Sequence, residues 1–142
     1  MRPLKHLIES KRSTVMVGPD DTVFTALALL AQFDIGALLV LERGKLVGIF
    51  SERDYARKII LKGKASRDTL VREIMSEKIS CVTLAETVEE CMALMTDKRV
   101  RHLPVIGADN EVLGILSIGD LVKETISEQK FTIEQLVSYL QN

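Results

Sequence analysis

An internal repeat limits the possible folds of this chain more than any other feature of its sequence. The stretch Gly48–Asp54, GIFSERD, returns 66 residues later as Gly114–Asp120, GILSIGD. Residues 21–23, Asp-Thr-Val, return 65 residues later as Glu-Thr-Val at 86–88. The offset grows by one residue inside a turn, where an insertion costs little. Since 142 residues suffice for one ordinary domain, the halves are predicted to be two small units that share a core.

The two halves contain the same predicted elements in the same order. In the second half, Thr87–Glu90 forms a capping box, and the apolar residues of Val88–Met95 follow the spacing of one helical face. Two short apolar runs separated by a turn come next in each half and are predicted as strands, and a serine then caps a second helix. The predicted fold class is therefore α/β (α+β), with two tandem β-α-β-β-α repeats. An extra short strand is predicted to lead into each repeat, at residues 14–17 and 79–83.

The repeat also divides the chain into segments. The first repeat with the N-terminal segment is assigned to residues 1–67, the second repeat to 68–127, and a C-terminal amphipathic helix to 128–142. Within the second segment, residues 68–75 are predicted to link the halves. The helix over residues 23–33 is apolar nearly all round, so a second subunit is expected to cover part of it. A two-fold, self-complementary contact is the favoured arrangement, which predicts a homodimer.

Composition excludes several classes of protein. A net charge of −1, a pI near 6.1, 4% aromatic residues and no tryptophan argue against nucleic acid as a partner. No apolar run reaches the roughly 18 residues that a membrane helix needs, so we expect no membrane partner and a cytoplasmic location. The two cysteines, Cys81 and Cys91, lack a second thiol two or three residues away. They are predicted to be small buried residues, and no metal site is expected.

The repeated Ser-x-x-Asp motif predicts a binding site for a ribose. Asp54 and Asp120 each follow a strand and lie in the first turn of a helix, three residues after Ser51 and Ser117. A carboxylate in this position has two oxygens that can accept both hydroxyls of a cis-diol, and the helix N-terminus keeps it ionised. The serines can cap the helix and also contact ribose or phosphate. The structural alternative is that both acids are only first-turn residues favoured by the helix dipole.

Adenine and phosphate require other partners. Strand-edge backbone groups and apolar side chains, Ile49 and Ile115 among them, are expected to contact the base. Arg53 and Arg101 are the preferred phosphate partners because arginine can bind phosphate through two hydrogen bonds. His102 is a second candidate, with the alternative that it is a strand histidine with a backbone partner.

The two copies differ at the positions expected to contact phosphate. The second repeat has Gly119 where the first has Arg53, and the first has Gly36-Ala37 where the second has Arg101-His102. The two sites are therefore predicted to be unequal. The small residues of the first copy are expected to leave room for a dinucleotide.

The order of these motifs resembles a tandem pair of CBS domains, the Bateman module, over roughly residues 10–127. The resemblance rests on Asp/Glu-Thr-Val, then Gly-Ala-Leu-Leu-Val or Arg-His-Leu-Pro-Val, then Gly-Ile-x-Ser-x-x-Asp, in that order twice. The chain is similar to bacterial stand-alone members. The resemblance implies a pseudo-two-fold module with a cleft between the repeats that binds adenine nucleotides such as AMP, ADP, ATP or NAD(H). It also implies a regulatory sensor, a basic pair at positions 101 and 102 that contacts phosphate, and a flat dimer.

Two other functions compete with a nucleotide sensor. A ligand-independent adaptor would use the repeats only as a dimerisation surface. An enzyme would draw on Ser117, His102 and Asp120, but no G-x-S-x-G, H-E-x-x-H or P-loop context accompanies them, and a capping serine is badly placed as a nucleophile. We therefore predict no catalytic residues and a regulated partner protein that the sequence does not identify.

Overall fold

The computed structural model describes residues 4–10 and 15–141 of the chain. The helices and strands of this part follow one another twice in a similar order. They are α1 (Lys5–Ser10), β1 (Met16–Val17), α2 (Val23–Phe33), β2 (Ala37–Glu42), β3 (Lys45–Ser51), α3 (Glu52–Asp54), a π-helical segment (Tyr55–Ile60), α4 (Val71–Ile74), α5 (Val88–Lys98), β4 (His102–Ile106), β5 (Val112–Ser117) and α6 (Ile118–Gln141).

Each repeat forms its own small sheet, which confirms the predicted fold class. In the first, β1 runs parallel to β2, and β2 pairs antiparallel with β3 so that Ala37 lies opposite Ser51. In the second, β4 and β5 form an antiparallel pair in which His102 lies opposite Ser117. The same register therefore places the serine of each Ser-x-x-Asp motif at the end of a hairpin, beside the first residue of the neighbouring strand.

The short strands that lead into the repeats are smaller than predicted. In the first repeat, β1 covers Met16–Val17, and Thr14 lies outside the described residues. In the second repeat the prediction over 79–83 reduces to a single parallel bridge between Val82 and Val105. The N–H of Val82 donates to Pro104 O at 3.0 Å, and its carbonyl accepts from Ile106 N at 2.9 Å. Proline has no N–H to add to the ladder, which limits pairing along this edge.

The two hydrophobic cores exchange the segments that precede the repeats. Val71 and Ile74 of α4, from the predicted link, are buried in the core of the first repeat. Leu4, just before α1, is fully buried in the core of the second repeat, beside Val82 and Val88. The sequence analysis assigns the N-terminal segment to the first repeat. In the structure, this segment packs in the hydrophobic core of the second repeat. Each repeat therefore depends on a segment that lies outside its own stretch of sequence.

The C-terminal part of the chain is one helix. The sequence predicted a helix over 119–126 and a separate amphipathic helix over 128–142, but α6 runs unbroken from Ile118 to Gln141 because no glycine or proline interrupts residues 120–141. Leu121 and Glu124 are its buried residues, and residues 129–141 are all exposed. Even so, none of the helices among the described residues is both long enough and apolar enough to cross a membrane.

Candidate functional site

A cleft of about 800 Å³ opens between the two repeats. Strand β3 and the helical segment after it form one wall, the residues that follow α4 form its base, and the end of α5 with the start of β4 forms the other wall. The side chains are predominantly polar and positively charged. The lining residues are Gly36, Ile49, Ser51, Glu52, Arg53, Asp54, Arg57, Lys58, Ser76, Lys78, Ser80, Arg99, Val100, Arg101 and His102.

Asp54 both caps a helix and lines this cleft. Its Oδ2 accepts from the backbone N–H and the hydroxyl of Ser51, both at 3.0 Å, while its own N–H donates to Ser51 Oγ at 3.2 Å. Its Oδ1 accepts from Ser76 Oγ at 3.3 Å and lies 3.4 Å from Lys58 Nζ. The side chain is 12% exposed. Oδ2 therefore holds the helix start, whereas Oδ1 makes two longer contacts with other residues of the cleft.

The second Ser-x-x-Asp motif has the same local geometry in a different place. The N–H of Ser117 donates to Asp120 Oδ2 at 2.8 Å, and the N–H of Asp120 donates to Ser117 Oγ at 3.1 Å. The structural alternative, in which the acids serve the helix start, therefore describes part of the role of both aspartates. Ser117, Asp120 and Ile115 are not among the residues that line the cleft.

The phosphate-binding candidates from the two repeats meet in this one cleft. Arg53 from the first repeat lies there with Arg101 and His102 from the second. Arg53 Nη1 donates to the carbonyl of Arg99 at 3.4 Å. Arg99 is the C-terminal cap of α5 and has the left-handed conformation, with φ 55°. Because its carbonyl accepts the hydrogen bond from Arg53, it connects the two walls of the cleft.

The space next to Gly36 is smaller than the sequence suggested. A Cβ on Gly36 would lie 3.4 Å from Cε1 and Nε2 of His102, so the imidazole ring packs directly beside this glycine. Ala37 is buried in β2. The space beside Gly36 is therefore occupied by the His102 side chain of the second repeat. The small size of Gly36 and Ala37 no longer supports the prediction that a dinucleotide fits there.

The backbone of Ile49 is already hydrogen-bonded within the protein. Its N–H donates to Ser76 O at 3.0 Å, and its carbonyl accepts from Ser76 N at 2.9 Å. A contact between adenine and this backbone would therefore have to replace one of these bonds or use the second lone pair of the Ile49 carbonyl. Ile49 and Val100 supply apolar side chains to the cleft.

Several cleft residues have no counterpart among the sequence candidates. Arg57 and Lys58 come from the π-helical segment, and Ser76, Lys78 and Ser80 come from the extended stretch after α4. Lys58 Nζ donates to the carbonyl of Ile74 at 2.9 Å, which ties this segment to α4. π-Helical turns occur often at functional sites, but their sequences look like those of ordinary helices. The sequence showed two positive charges shortly after the first motif, at Arg57 and Lys58, but did not show that both residues line the cleft.

Equivalent positions in the two repeats carry opposite charges. Lys58 follows Asp54 by four residues, and Glu124 follows Asp120 by four. Glu124 is 9% exposed, and its Oε1 lies 3.1 Å from His6 Nε2. The two Ser-x-x-Asp motifs therefore have different electrostatic surroundings, in agreement with the inequality that Arg53 and Gly119 predict.

The remaining reactive groups do not suggest a second chemistry. Cys91 is fully buried, and burial, together with the charges of Glu86 and Glu90, raises the pKa of its thiol to about 11. Such a thiol stays protonated near neutral pH and is a poor nucleophile. Residues 4–10 and 15–141 contain no group of three His, Cys, Asp or Glu side chains placed to hold a metal ion.

Comparison with known proteins identifies the family. The CBS domain family model matches residues 5–61 and 71–127. The chain is 43% identical over 127 residues to the mitochondrial CBS domain-containing protein CBSX3 of Arabidopsis thaliana, covering 86% of this chain and 61% of that protein. It thus spans about three fifths of that relative's length. The chain belongs to the CBS domain family, as a tandem pair.

Solved structures agree with this assignment. A CBS-domain protein from Burkholderia ambifaria superposes with a TM-score of 0.86 at 42% identity, covering 90% of this chain and 96% of that one. The CBS domain pair of protein MJ0100, solved with 5′-methylthioadenosine and S-adenosyl-L-methionine, gives a TM-score of 0.80 at 21% identity, covering 90% and 98%. The second likeness shows the fold alone. CBS pairs are regulatory modules, and stand-alone CBS-domain proteins are generally not catalysts.

Proposed function

We propose that the cleft binds an adenosine-containing nucleotide and that the protein is a non-catalytic sensor that signals through a dimer. One observation carries this proposal: the carboxylate of Asp54, the cations Arg53 and Arg101 and the imidazole of His102 line the same cleft between the repeats. A carboxylate for a ribose diol and cations for phosphate are the two polar requirements of a nucleotide. Asp54 and Arg53 come from the first repeat, and Arg101 and His102 come from the second, so a bound nucleotide would contact both repeats.

The contacts of Asp54 allow a ribose to bind without unfolding the site. A ligand hydroxyl would compete with the longer Oδ1 contacts to Ser76 and Lys58, while Oδ2 kept its bonds to Ser51. Ile49 and Val100 would pack against the adenine ring. The two ligands in the MJ0100 structure, 5′-methylthioadenosine and S-adenosyl-L-methionine, both carry an adenosyl group. This supports an adenosine-containing ligand as a class but no particular nucleotide.

The identity of the ligand is best tested by mass spectrometry of compounds released by denaturing the purified protein. The proposal expects AMP, ADP, ATP, NAD(H) or another adenosine compound, and added AMP should raise the melting temperature because it binds only the native state. A protein that carries no nucleotide, and whose melting temperature none of these compounds changes, would instead be the ligand-independent adaptor.

We also propose that the protein has no catalytic residues. Ser117 Oγ accepts the N–H of Asp120 and so acts as a helix cap. This arrangement orients the hydroxyl toward the helix start rather than activating it as a nucleophile. The regulated protein is expected to contact either the dimer surface or α6.

We expect the two motifs to bind ligands unequally. Asp54 lies beside Arg53 and Lys58, whereas Asp120 lies in a helix with Gly119 and Glu124. Anionic ligands should therefore favour the first motif. Calorimetric titration with AMP, followed by NADH, should show two affinities or unequal competition. Two identical and independent sites with the same ligand ranking would contradict this prediction.

We also expect a homodimer that buries the outer face of α2. Phe24, Ala28 and Ala31 are spaced at i, i+4 and i+7 and are exposed, whereas Val23, Ala26 and Leu30 pack into the core. Light scattering at micromolar concentration should give about twice the 15.8 kDa chain mass. Ala28→Glu should shift the protein towards monomer because it places a charge in the apolar contact.

The matched control for the dimer is Ala108→Glu, the same substitution at another exposed alanine. Ala108 lies in the turn between β4 and β5, outside α2. This substitution should leave the mass unchanged. A monomer before any substitution, with nucleotide present, would refute the dimer, and equal masses for all three proteins would refute the assigned face.

A further inference from the structure

The C-terminal helix α6 carries a stripe of exposed side chains that points away from its own chain. On the packed side of the helix, Leu121 lies in the core of the second repeat, and Thr125 Oγ1 donates to Met92 Sδ at 3.6 Å. The stripe lies about 120° around the helix axis from this side, at 3.6 residues per turn. It is apolar except for one glutamine, and its members are Val122, Ile126, Gln129, Ile133, Leu136, Val137 and Leu140.

A stripe of this length requires a packing partner. Ile133 and Leu136 are 60% and 58% exposed, and residues 129–141 are all exposed. Most of the stability of a helix in a protein comes from the packing of its apolar face, and large exposed apolar patches mark interaction sites. The stripe extends from Val122 to Leu140, about 27 Å at 1.5 Å per residue. The next longest helices that the structure describes, α2 and α5, have 11 residues each and pack on their own repeats. The described part of the chain therefore offers one helix of matching length, which is α6 of a second copy.

The spacing of the stripe is that of a two-stranded coiled coil. Its successive members lie alternately four and three residues apart, which is the repeat that winds two helices around each other. Ile126 and Ile133 occupy the first apolar position (a) of the seven-residue repeat, and Leu136 occupies the second (d). A β-branched residue at a with leucine at d favours two strands. The residues of this seam are Val122, Ile126, Gln129, Ile133, Leu136 and Leu140.

The polar residues of the seam favour a parallel pair. In a parallel, in-register pair the two Gln129 carboxamides face each other, and each can donate and accept a hydrogen bond. In an antiparallel pair over the same seam, Gln129 would face Ile133 and would be buried without a partner. Lys123 and Lys130 lie along one edge of the seam. An antiparallel pair would bring these two like-charged edges together, whereas a parallel pair places each beside the uncharged edge of the other helix.

The charges of α6 favour a second copy of the chain over a lipid surface. Between Val122 and Leu140 the helix has three glutamates and two lysines. Helices that lie on membranes are instead rich in lysine and arginine on their polar face, because the lipid headgroups include anions. The net negative charge of this segment is therefore unsuited to such a surface.

We propose that α6 pairs with α6 of a second copy as a parallel, in-register, two-stranded coiled coil over Val122–Leu140. The inference rests on the homodimer of the proposed function, to which it adds a contact separate from α2, and it does not depend on the nucleotide cleft. The seam begins two residues after Asp120. The coiled coil would therefore hold the second repeats of the two subunits side by side, directly behind their Ser-x-x-Asp motifs.

Disulfide cross-linking tests both the partner and the register. Leu136→Cys should give a covalent dimer of twice the 15.8 kDa chain mass under mild oxidation, because facing d positions bring the two Cβ atoms within disulfide reach. The matched control, Ser138→Cys, places an equally accessible thiol on the far side of the helix and should cross-link at least about tenfold more slowly. Both proteins also carry Cys81→Ser, which leaves the fully buried Cys91 as the remaining native cysteine.

The outcomes separate this inference from the proposed function. Equal cross-linking of the two cysteine variants, or none in either, would overturn the coiled coil. If the unsubstituted protein still has the mass of a dimer, that result leaves the α2 contact in place. A monomer before any substitution would refute the homodimer and the coiled coil together.

Sedimentation equilibrium provides an independent measurement. Leu136→Glu should raise the dissociation constant of the dimer about tenfold or more, because it places two carboxylates in the seam. Ser138→Glu adds the same charge outside the seam and should leave the constant unchanged. Equal constants for these two variants would overturn the inference. Binding to phosphatidylserine vesicles that Leu136→Glu abolishes, with no change in the dissociation constant, would assign the stripe to a lipid surface and would also overturn it.

Discussion

Replacing Asp54 with alanine is expected to weaken AMP binding roughly ten- to hundredfold. Oδ1 of the carboxylate would accept a hydrogen bond from a ribose hydroxyl, and hydrogen bonds to a charged group contribute roughly 1.5–3 kcal/mol. Isothermal titration calorimetry of the purified variant provides the measurement. Because Asp54 lines the described cleft whereas Asp120 does not, this substitution should have a larger effect on the tighter site than Asp120→Ala.

A control is needed because Asp54 also stabilises the native structure. Its Oδ2 accepts from the N–H of Ser51, so alanine removes part of a capping box as well as the ligand contact. Titrating the unaltered protein with 2′-deoxy-AMP removes one ribose hydroxyl without changing the protein, and should also reduce affinity. Unchanged AMP affinity in both Asp54→Ala and Asp120→Ala would refute the diol contact.

A large loss of stability is expected from Leu4→Ala. Leu4 has no exposed surface and packs in the core of the second repeat. Replacing a buried leucine with alanine lowers the free energy of unfolding by about 2–5 kcal/mol, since the transfer free energy is lost and a cavity remains. Urea denaturation, followed by circular dichroism, should show this loss although residue 4 lies far from the second repeat in sequence.

Lys5→Ala is the matched control for Leu4→Ala. Lys5 is the next residue along the chain and is exposed. Its substitution should change the free energy of unfolding by no more than about 0.5 kcal/mol. Equal and small losses for both variants would show that the N-terminal segment does not complete the second core.

The exchange of segments ties the two repeats together next to the cleft. Residues 71–74 pack on the first repeat, and the chain then passes through Ser76, which pairs with Ile49 in both directions. The same stretch continues to Lys78 and Ser80 at the base of the cleft. A ligand that contacts this base would therefore stabilise the connection between the repeats as well as each wall, and through this connection the proposed nucleotide would act on the proposed dimer.

The sequence by itself determined the repeated unit and its local structure. The short apolar runs predict the paired strands, and the structure confirms the predicted helix caps at Ser51 and Ser117, where the aspartate of each motif completes a capping box. These features depend on residues within a few positions of one another. Local hydrogen bonding and side-chain periodicity are therefore sufficient to predict them.

Only the tertiary structure decided which repeat contributes each part of the cleft. In the folded protein, Arg101 and His102 line the same cleft as Asp54, and the His102 ring lies against Gly36. The backbone of Ile49 forms hydrogen bonds with that of Ser76. The tertiary structure also exchanged the segments around Leu4 and Val71 between the two cores. These contacts join residues far apart in sequence, and two similar repeats offer similar apolar surfaces to either segment. Local patterns do not encode the choice between them, because it is made by the packing of the complete core.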